Sequence, residues 1–293
     1  MLTLQLVIQT IICGMLLGGL YVLIALGKSI VFNVMHVINV AQGWMAMLGG
    51  YATYWFFKIY QLDPLLSLFL IIPIFWFIGI CFHKIFLRPI IGRALLPQLV
   101  ITFCAALMIE SLATFLWTAD YRLVYPSYAK ISLNFFGIKL PFLYVINFAI
   151  GMMSIIILHL FLTRTYLGNA IRATAQNREA AQIVGINIER VETLATSLSV
   201  AFAALAGALL STSFALTPSI GESWTVKAII IVTLAGFGNV YGVIPAGLLL
   251  GIIELGLGLL IPGSISYGVG LVLMLLVLLC RPYGLFGLRV RKA

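Results

Sequence analysis

Long apolar segments recur along almost the whole chain, and they constrain the fold more than any other feature. A helix needs about 20 apolar residues to cross the hydrocarbon core of a bilayer. With 63% hydrophobic and 9% charged residues, the chain has more apolar surface than a soluble core could bury. The sequence therefore predicts an all-α, polytopic membrane helix bundle with about eight or nine transmembrane helices. The candidate windows are 6–27, 36–57, 65–86, 95–118, 141–163, 194–216, 225–240, 243–261 and 264–280.

Two of these windows are poor candidates for a straight transmembrane helix. Residues 33–43, NVMHVINVAQG, carry several polar side chains, and the window 225–240 is short and runs into GFGNVYG. Irregular backbone is tolerated at membrane depth where protein surrounds it or where it lines a cavity. A broken or re-entrant helix is therefore an alternative in both places.

The basic residues predict an orientation, because cytoplasmic loops of membrane proteins are enriched in Lys and Arg. If the charged segment 164–193 is cytoplasmic, most of the 17 Lys and Arg residues fall on that side. The N-terminus is then outside, the C-terminus is cytoplasmic, and residues 119–140 form an external interfacial belt or short hairpin. No segment is long enough for a soluble domain, so residues 1–293 are expected to form one transmembrane domain. The outer side keeps Lys58, Arg122, Lys130, Lys139 and Lys227.

Residue types that carry chemistry are scattered, which argues against an enzyme and against a metal site. The four cysteines and three histidines lack the close spacing of metal or redox motifs. A GxxxxGK[ST] phosphate loop is absent from the sequence, so no cofactor is expected on this chain. The net charge of +9 lies in short clusters at the ends of apolar runs rather than in a basic stripe. This pattern predicts contact with membrane lipid and no nucleic-acid partner.

Polar side chains inside the apolar windows are candidates for a path through the membrane. A charge at the centre of a span costs roughly 2.5–3.5 kcal/mol on insertion scales, so such groups face the bundle interior, pair or become protonated. Hydrogen bonding between helices, with no other role, is the alternative for each of them. The candidates are Asn33, His36, Asn39, Gln42, Glu110 and Glu254.

One polar segment, residues 164–192, interrupts the apolar chain. Residues 169–184 have helix-forming composition, and Gly185 follows where a C-terminal cap needs a positive φ angle. The predicted helix has a small, Ala-rich face and a charged face. Such a helix can rest on lipid headgroups or seat its small face in a groove of a partner protein, and composition leaves both open.

Within this helix, EAAQIVG (179–185) resembles the EAA-x-x-x-G loop of bacterial ATP-binding-cassette (ABC) importer permeases. Further segments, in order along the chain, resemble the ABC permease family that serves branched-chain amino acids, the high-affinity leucine, isoleucine and valine importer type. They are GLYVLIALGKSIVFNVMHVINVAQGWMAMLGGY (19–51), TYLGNAIRATAQNREAAQIVGIN (165–187), VTLAGFGNVYGVIPAGLLLGIIE (232–254) and RPYGLFG (281–287). The chain departs from the family pattern at Lys28, Gln42, Trp44, Asn239, Tyr241 and Pro245, which leaves the exact substrate open.

The resemblance implies a first permease subunit of an importer in the bacterial cytoplasmic (inner) membrane. The implied partners are a second permease subunit, a paralogue or a second copy, together with two ABC ATPase subunits and an extracytoplasmic substrate-binding protein. In such a system ATP and Mg bind in the ATPases, and this chain supplies the translocation path. The residues implied to contact an ATPase are Arg172, Ala173, Arg178, Glu179, Ala180, Ala181 and Gly185.

Other readings of the sequence remain as alternatives. Sister families carry urea and short amides. An ion-coupled secondary transporter would fit the acids Glu110 and Glu254 and the broken helices. An intramembrane enzyme would need converging nucleophile, base or metal ligands, and the histidines show no such convergence.

Overall fold

The computed structural model describes residues 4–135, 138–236, 238–259, 263–281 and 284–286. The predicted positions of the two chain termini, and part of the segment RPYGLFG, lie outside these residues. The described ranges contain eleven α-helices and one antiparallel hairpin formed by β1 (Ser132–Phe135) and β2 (Ile138–Pro141). The helices are α1 (Leu4–Met35), α2 (Gln42–Tyr60), α3 (Pro64–Phe82), α4 (Leu95–Trp117), α5 (Phe142–Arg164), α6 (Tyr166–Gln176), α7 (Arg178–Ile183), α8 (Ile188–Leu210), α9 (Ile220–Ala235), α10 (Val243–Gly258) and α11 (Gly263–Cys280).

Apolar composition produces long helices here, which confirms the predicted polytopic helical bundle. In the described part of the chain, five helices are long and apolar enough to cross a membrane: α1, α3 with its extension to Ile90, α4, α5 and α8. That extension comprises a π-helix, His83–Leu87, and a 3₁₀ turn, Arg88–Ile90. The helix α10 and residues Gly270–Cys280 of α11 are shorter apolar helices.

The centre of the bundle is formed by α1 and α8. In the most apolar 18-residue window of each helix, 78% of the residues of α8 and 56% of those of α1 are buried within the chain. The corresponding fractions are 28% for α4 and 22% for α5. Helix α8 packs on α1, α2 and α3, while α1 also packs on α9 and α10. The outer faces of α4 and α5 are apolar, so they are suited to lipid or to another membrane protein.

Small residues bring α1 and α10 into close contact. A Cβ on Gly18 would lie 2.6 Å from the carbonyl oxygen of Gly247, and one on Gly14 would lie 2.7 Å from the Cα of Ile252. Backbones can approach this closely only where side chains are absent, and the approach increases dispersion contacts that lipid does not match. Pairs of glycines at four-residue spacing, Gly14 with Gly18 on α1 and Gly247 with Gly251 on α10, thus form this helix contact.

The window 36–57 is not one helix. Helix α1 ends at Met35, His36 has a left-handed φ of 54°, and α2 begins only at Gln42. The backbone between them is irregular and lies inside the protein, since Val37 and Ala41 are fully buried. The broken-helix alternative is therefore correct for this window.

Two boundaries in the polar segment differ from the sequence prediction. The single helix predicted for 169–184 is wrong, because α6 and α7 are separated at Asn177, whose extended backbone (φ −155°) interrupts the helix. The Asn177 side chain accepts a hydrogen bond from Ala180 N at 2.9 Å and so starts a new helix. In addition, α8 begins at Ile188, so Glu189 and Glu192 belong to that long helix rather than to the loop.

Helix α9 also begins earlier than predicted, at Ile220 instead of residue 225. Lys227, which the sequence-based topology assigned to an outer segment, lies midway along this helix. A single Lys in an apolar run is easily taken for the end of a span, because the carboxylate that compensates it is on another helix.

The segment 119–140 carries the hairpin β1–β2, and its hydrogen bonds to the rest of the chain include some to the loop between α8 and α9 and one to Asp63, the N-cap of α3. Arg122 and Leu216 exchange backbone hydrogen bonds of 3.0 and 2.7 Å. The Tyr128 hydroxyl donates to Asp63 Oδ1 at 3.0 Å. Burial, followed by this hydrogen bond, raises the pKa of the Tyr128 phenol above its ordinary value.

Candidate functional site

The irregular backbone between α1 and α2 receives hydrogen bonds from other helices. The hydroxyl of Thr225, on α9, donates to Val40 O at 3.1 Å and accepts from Gly43 N at 2.9 Å. The hydroxyl of Thr102, on α4, lies 3.2 Å from Ile38 O. Backbone groups without an intrahelical partner are costly inside a membrane protein unless other groups satisfy them. The Thr225 hydroxyl therefore satisfies two backbone groups of the break, whereas the single proton of the Thr102 hydroxyl is shared with Gln98 O, at 2.9 Å in its own helix.

Asn39 and Gln42, two of the predicted path residues, are brought together at this break. Both are buried, and Asn39 Nδ2 lies 3.4 Å from Gln42 Oε1. The Gln42 amide donates to Ser199 O at 3.1 Å and accepts from Ser199 Oγ at 3.1 Å. The start of α2 is thus joined to the middle of α8 by a pair of hydrogen bonds.

The other two polar residues of this region lie apart from that pair. His36 is exposed, with its ring 5.9 Å from that of Phe32, and Asn33 is half-buried near Gly238. The four polar residues that the sequence groups into one segment are therefore divided between the protein interior and its surface.

Glu110 accepts a hydrogen bond from Trp44. The indole nitrogen of Trp44 donates to Glu110 Oε2 at 2.9 Å, which links α2 to α4. Trp44 is buried against Gly221 of α9, where a Cβ would collide with the indole ring. Glu110 thus compensates an indole N–H that would otherwise be buried without a partner.

Glu254 forms part of a cluster that joins three helices. Lys227 Nζ, on α9, lies 2.6 Å from Glu254 Oε1, on α10, and donates to the Tyr21 hydroxyl, on α1, at 2.8 Å. The same ammonium lies 4.4 Å from the centroid of the Tyr21 ring, within range of a cation–π interaction. The structure does not bring Glu110 to this cluster, since α4 packs on α2 and α10 packs on α1 and α9.

Sequence reasoning missed Lys227 and Tyr21 as parts of this cluster. A usable signal was present: Lys227 is the only charge in the run TVKAIIIVTLA, so it needs compensation inside the bundle. The acid that pairs with Lys227 could not be predicted from the sequence, because Glu254 is 27 positions away on a different helix.

The helices α6 and α7 are short and individually capped. Thr165 Oγ1 accepts from Gly168 N at 3.0 Å at the start of α6. At the end of α7, Gly185 has φ +86°, Gly185 N donates to Gln182 O, and Ile186 N donates to Ala181 O, both at 3.0 Å. This is the Schellman arrangement, and it confirms the cap predicted at Gly185.

The predicted coupling residues are distributed over two sides of this pair of helices. Ala181 is buried and Ala173 half-buried, so part of the small face packs against the protein. Glu179, Ala180 and Gly185 are exposed, and so is Arg172, whose guanidinium donates to Asn169 Oδ1 at 2.6 Å.

Two large apolar side chains are exposed beside Glu179. Ile183 is 85% and Val184 76% exposed, although the smaller Ala181 of the same helix is buried. Sequence reasoning missed Ile183. The adjacent pair of branched residues directly before the capping glycine is the signal that could have identified it.

An ion pair connects α7 to α8. Arg178 Nη2 lies 2.8 Å from Glu192 Oε1, and the Glu192 side chain is only 6% exposed. Close by, a groove of about 500 Å³ runs between the end of α3 and the start of α8, with Ile80, Lys84 and Glu189 among its lining residues. Arg88, in the extension of α3, forms a 3.0 Å ion pair with Glu189 of α8 and so connects the two helices.

A metal site is not apparent in the described ranges, where no three His, Cys, Asp or Glu side chains lie close enough to hold an ion. The polar contacts described above join helices to one another and do not converge on a nucleophile or a base.

Comparison with known proteins finds similarity over nearly the whole chain. A family model described as the permease component of branched-chain amino acid transport systems matches residues 10–278. The probable branched-chain amino acid transport permease protein LivH of Methanocaldococcus jannaschii is 28% identical over 295 residues, which cover 94% of this chain and 91% of that protein.

Two bacterial relatives extend this similarity. The high-affinity branched-chain amino acid transport system permease protein BraD of Pseudomonas aeruginosa is 27% identical, over 96% of this chain and 95% of its own. LivH of Escherichia coli is 25% identical over the same shares of the two chains. A shorter stretch, 40% of this chain, is 30% identical to the permease protein LivM of the same organism. No solved structure matches the chain.

Proposed function

Because the chain belongs to the branched-chain amino acid transport permease family, we propose that it forms the translocation path for branched-chain or related hydrophobic amino acids and couples that path to ATPases. The family and the five apolar helices make it a multi-pass protein of the cytoplasmic membrane. The relatives are permease subunits, and this chain is accordingly a transport subunit rather than an enzyme.

The exposed end of α7 carries the proposal for the ATPase contact. Glu179, Ile183 and Val184 form a surface that mixes one carboxylate with two branched apolar side chains. Large apolar groups that are exposed side by side at a helix end are typical of a protein contact. The caps at Asn177 and Gly185 hold this surface in one conformation, which lowers the entropy lost when a partner binds.

A connected set of contacts is available to transmit movement from that surface. The Arg178–Glu192 ion pair attaches α7 to the start of α8, and Ser199 on α8 is bonded to Gln42 at the break before α2. Since α8 also packs on α1 and α3, a shift of α7 would move the centre of the bundle. In this proposal the irregular segment 36–41 serves as the hinge of alternating access.

The proposed assembly contains this chain, a second permease subunit, two ABC ATPase subunits and an extracytoplasmic substrate-binding protein. The occurrence of LivH and LivM as named permease proteins of one type of transport system supports a paired permease. The predicted orientation, with segment 164–193 and the C-terminus in the cytoplasm, belongs to the same proposal because ATP is supplied there.

Leucine uptake into proteoliposomes that contain the assembled transporter and its binding protein tests this function. We expect uptake that requires internal ATP, that persists when ion gradients are collapsed, and that is unaffected by excess urea or acetamide. Uptake that continues without ATP but stops with the ion gradient would instead identify a secondary transporter. Competition by urea or acetamide would assign the chain to the sister families that carry them.

A further inference from the structure

The Lys227–Glu254 ion pair joins α9 to α10 inside the helix bundle, and Lys227 lies two residues along α9 from Thr225, which is hydrogen-bonded to the break at 36–41. Lys227 is midway along α9, Tyr21 is near the middle of α1, and Glu254 is in the second half of α10. The side chains of Lys227 and Glu254 are 13% and 23% exposed, so neither is completely enclosed by the described part of the chain. Asn39 and Gln42, by contrast, are enclosed completely.

Stability alone gives no reason for this pair. Two charges that leave water lose hydration, and their mutual attraction compensates that loss only in part, so a neutral pair of similar volume is often equally stable. A cation and an anion that are held together at mid-helix and partly exposed therefore call for a different role.

We propose that Lys227 and Glu254 form a binding site for the zwitterionic head of an amino acid in the translocation path. The ligand carboxylate would contact the Lys227 ammonium, and the ligand ammonium would contact the Glu254 carboxylate. Each protein charge then exchanges one partner for another, and no charge is left uncompensated in the bundle. This inference rests on the proposed function and specifies how the same path recognises its substrate.

Tyr21 acts as the positioning residue of this site. Its hydroxyl accepts a hydrogen bond from Lys227 at 2.8 Å, and its fully buried ring lies beneath the ammonium. These two contacts keep Lys227 in place when Glu254 turns to the ligand. A second lysine on α1, Lys28, is also buried, but its Nζ has no hydrogen-bond partner among the described residues, so it offers one charge where a zwitterion requires two.

A double neutral variant, Lys227→Met with Glu254→Gln, separates binding from a purely structural bridge. In the assembled transporter we expect leucine uptake to fall at least tenfold. The thermal midpoint should be unchanged, and the ATPase rate stimulated by loaded binding protein should stay within twofold of wild type. Lys58→Met, at the exposed end of α2, is the matched control and is expected to retain uptake. Uptake by the double variant within twofold of wild type, or a parallel loss of uptake, ATPase rate and stability, would overturn the proposal.

A second measurement uses only the wild-type transporter. A ligand that binds the folded state raises the thermal midpoint. We expect millimolar leucine to raise it, and leucinamide, which lacks the carboxylate, and 2-hydroxy-4-methylpentanoate, which lacks the ammonium, to raise it far less. Equal shifts with all three would overturn the zwitterion site. If the wild type transports leucine and these tests fail, the proposed function still stands; if it transports no leucine, the proposed function itself fails.

Discussion

Gly185 shows how one residue can determine the shape of a surface, here the one proposed to contact an ATPase. Its φ of +86° belongs to the left-handed region, where a residue with a Cβ loses roughly 1–2 kcal/mol. The sequence predicted this cap because the rule is local: a helix-forming run is followed by glycine. It did not predict the interruption at Asn177, where an equally local rule, capping by the Asn side chain, competes with the helix propensity of the surrounding alanines.

The substitution Gly185→Val tests this cap. A Cβ at residue 185 would meet no described atom within 4 Å, so any loss must come from the backbone conformation and not from a collision. We expect α7 to lose its last turn and leucine uptake to fall severalfold, while the amount of protein inserted in the membrane is unchanged. Gly185→Asn, which tolerates the left-handed region, is the control and should keep most of the uptake. Wild-type uptake by the valine variant would contradict the role of this cap.

At the scale of elements, the hydrogen-bonded break between α1 and α2 combines local and distant information. The polar residues of 33–43 identified an unsuitable span, and that much could be predicted from hydropathy. The hydroxyls that contact the break come from Thr102 and Thr225 on other helices, and Ser199 on α8 binds Gln42. Such pairings depend on how helices pack, which apolar composition does not encode, so neither the end of α1 nor the partners of Gln42 could be predicted.

Gln42→Leu tests the connection between this break and α8. The substitution removes the hydrogen bonds that the Gln42 amide makes with the hydroxyl and the carbonyl of Ser199. An unsatisfied buried polar group costs about 1–3 kcal/mol. We expect a lower thermal midpoint and impaired leucine uptake, and a similar loss of uptake for Asn39→Leu. Adding Ser199→Ala to Gln42→Leu removes one unsatisfied group and should restore part of the midpoint. Unchanged uptake in the Leu variants, with or without a stability loss, would leave these residues with a packing role only.

At the scale of the whole molecule, the bilayer makes the number and type of elements predictable, whereas their arrangement is not. Most apolar windows correspond to helices because a spanning segment must satisfy its own backbone. The central position of α8, and the contact of α7 with it through Arg178 and Glu192, follow from burial and pairing that no periodic pattern reveals. The family resemblance, carried by motifs in sequence order, is confirmed by the match over residues 10–278.

The most direct test of the account is whether the exposed end of α7 holds an ABC ATPase. The affinity-tagged chain would be purified in mild detergent from native membranes, and the co-purified ATPase would be quantified for the wild type, for Glu179→Lys with Val184→Asp, and for Lys130→Glu in segment 119–140 as the control. We predict that the ATPase is recovered with the wild type and the control and falls at least tenfold with the α7 variant, which would also place this surface in the cytoplasm. Recovery of no ATPase with the wild type, or equal recovery with the α7 variant, would contradict the account.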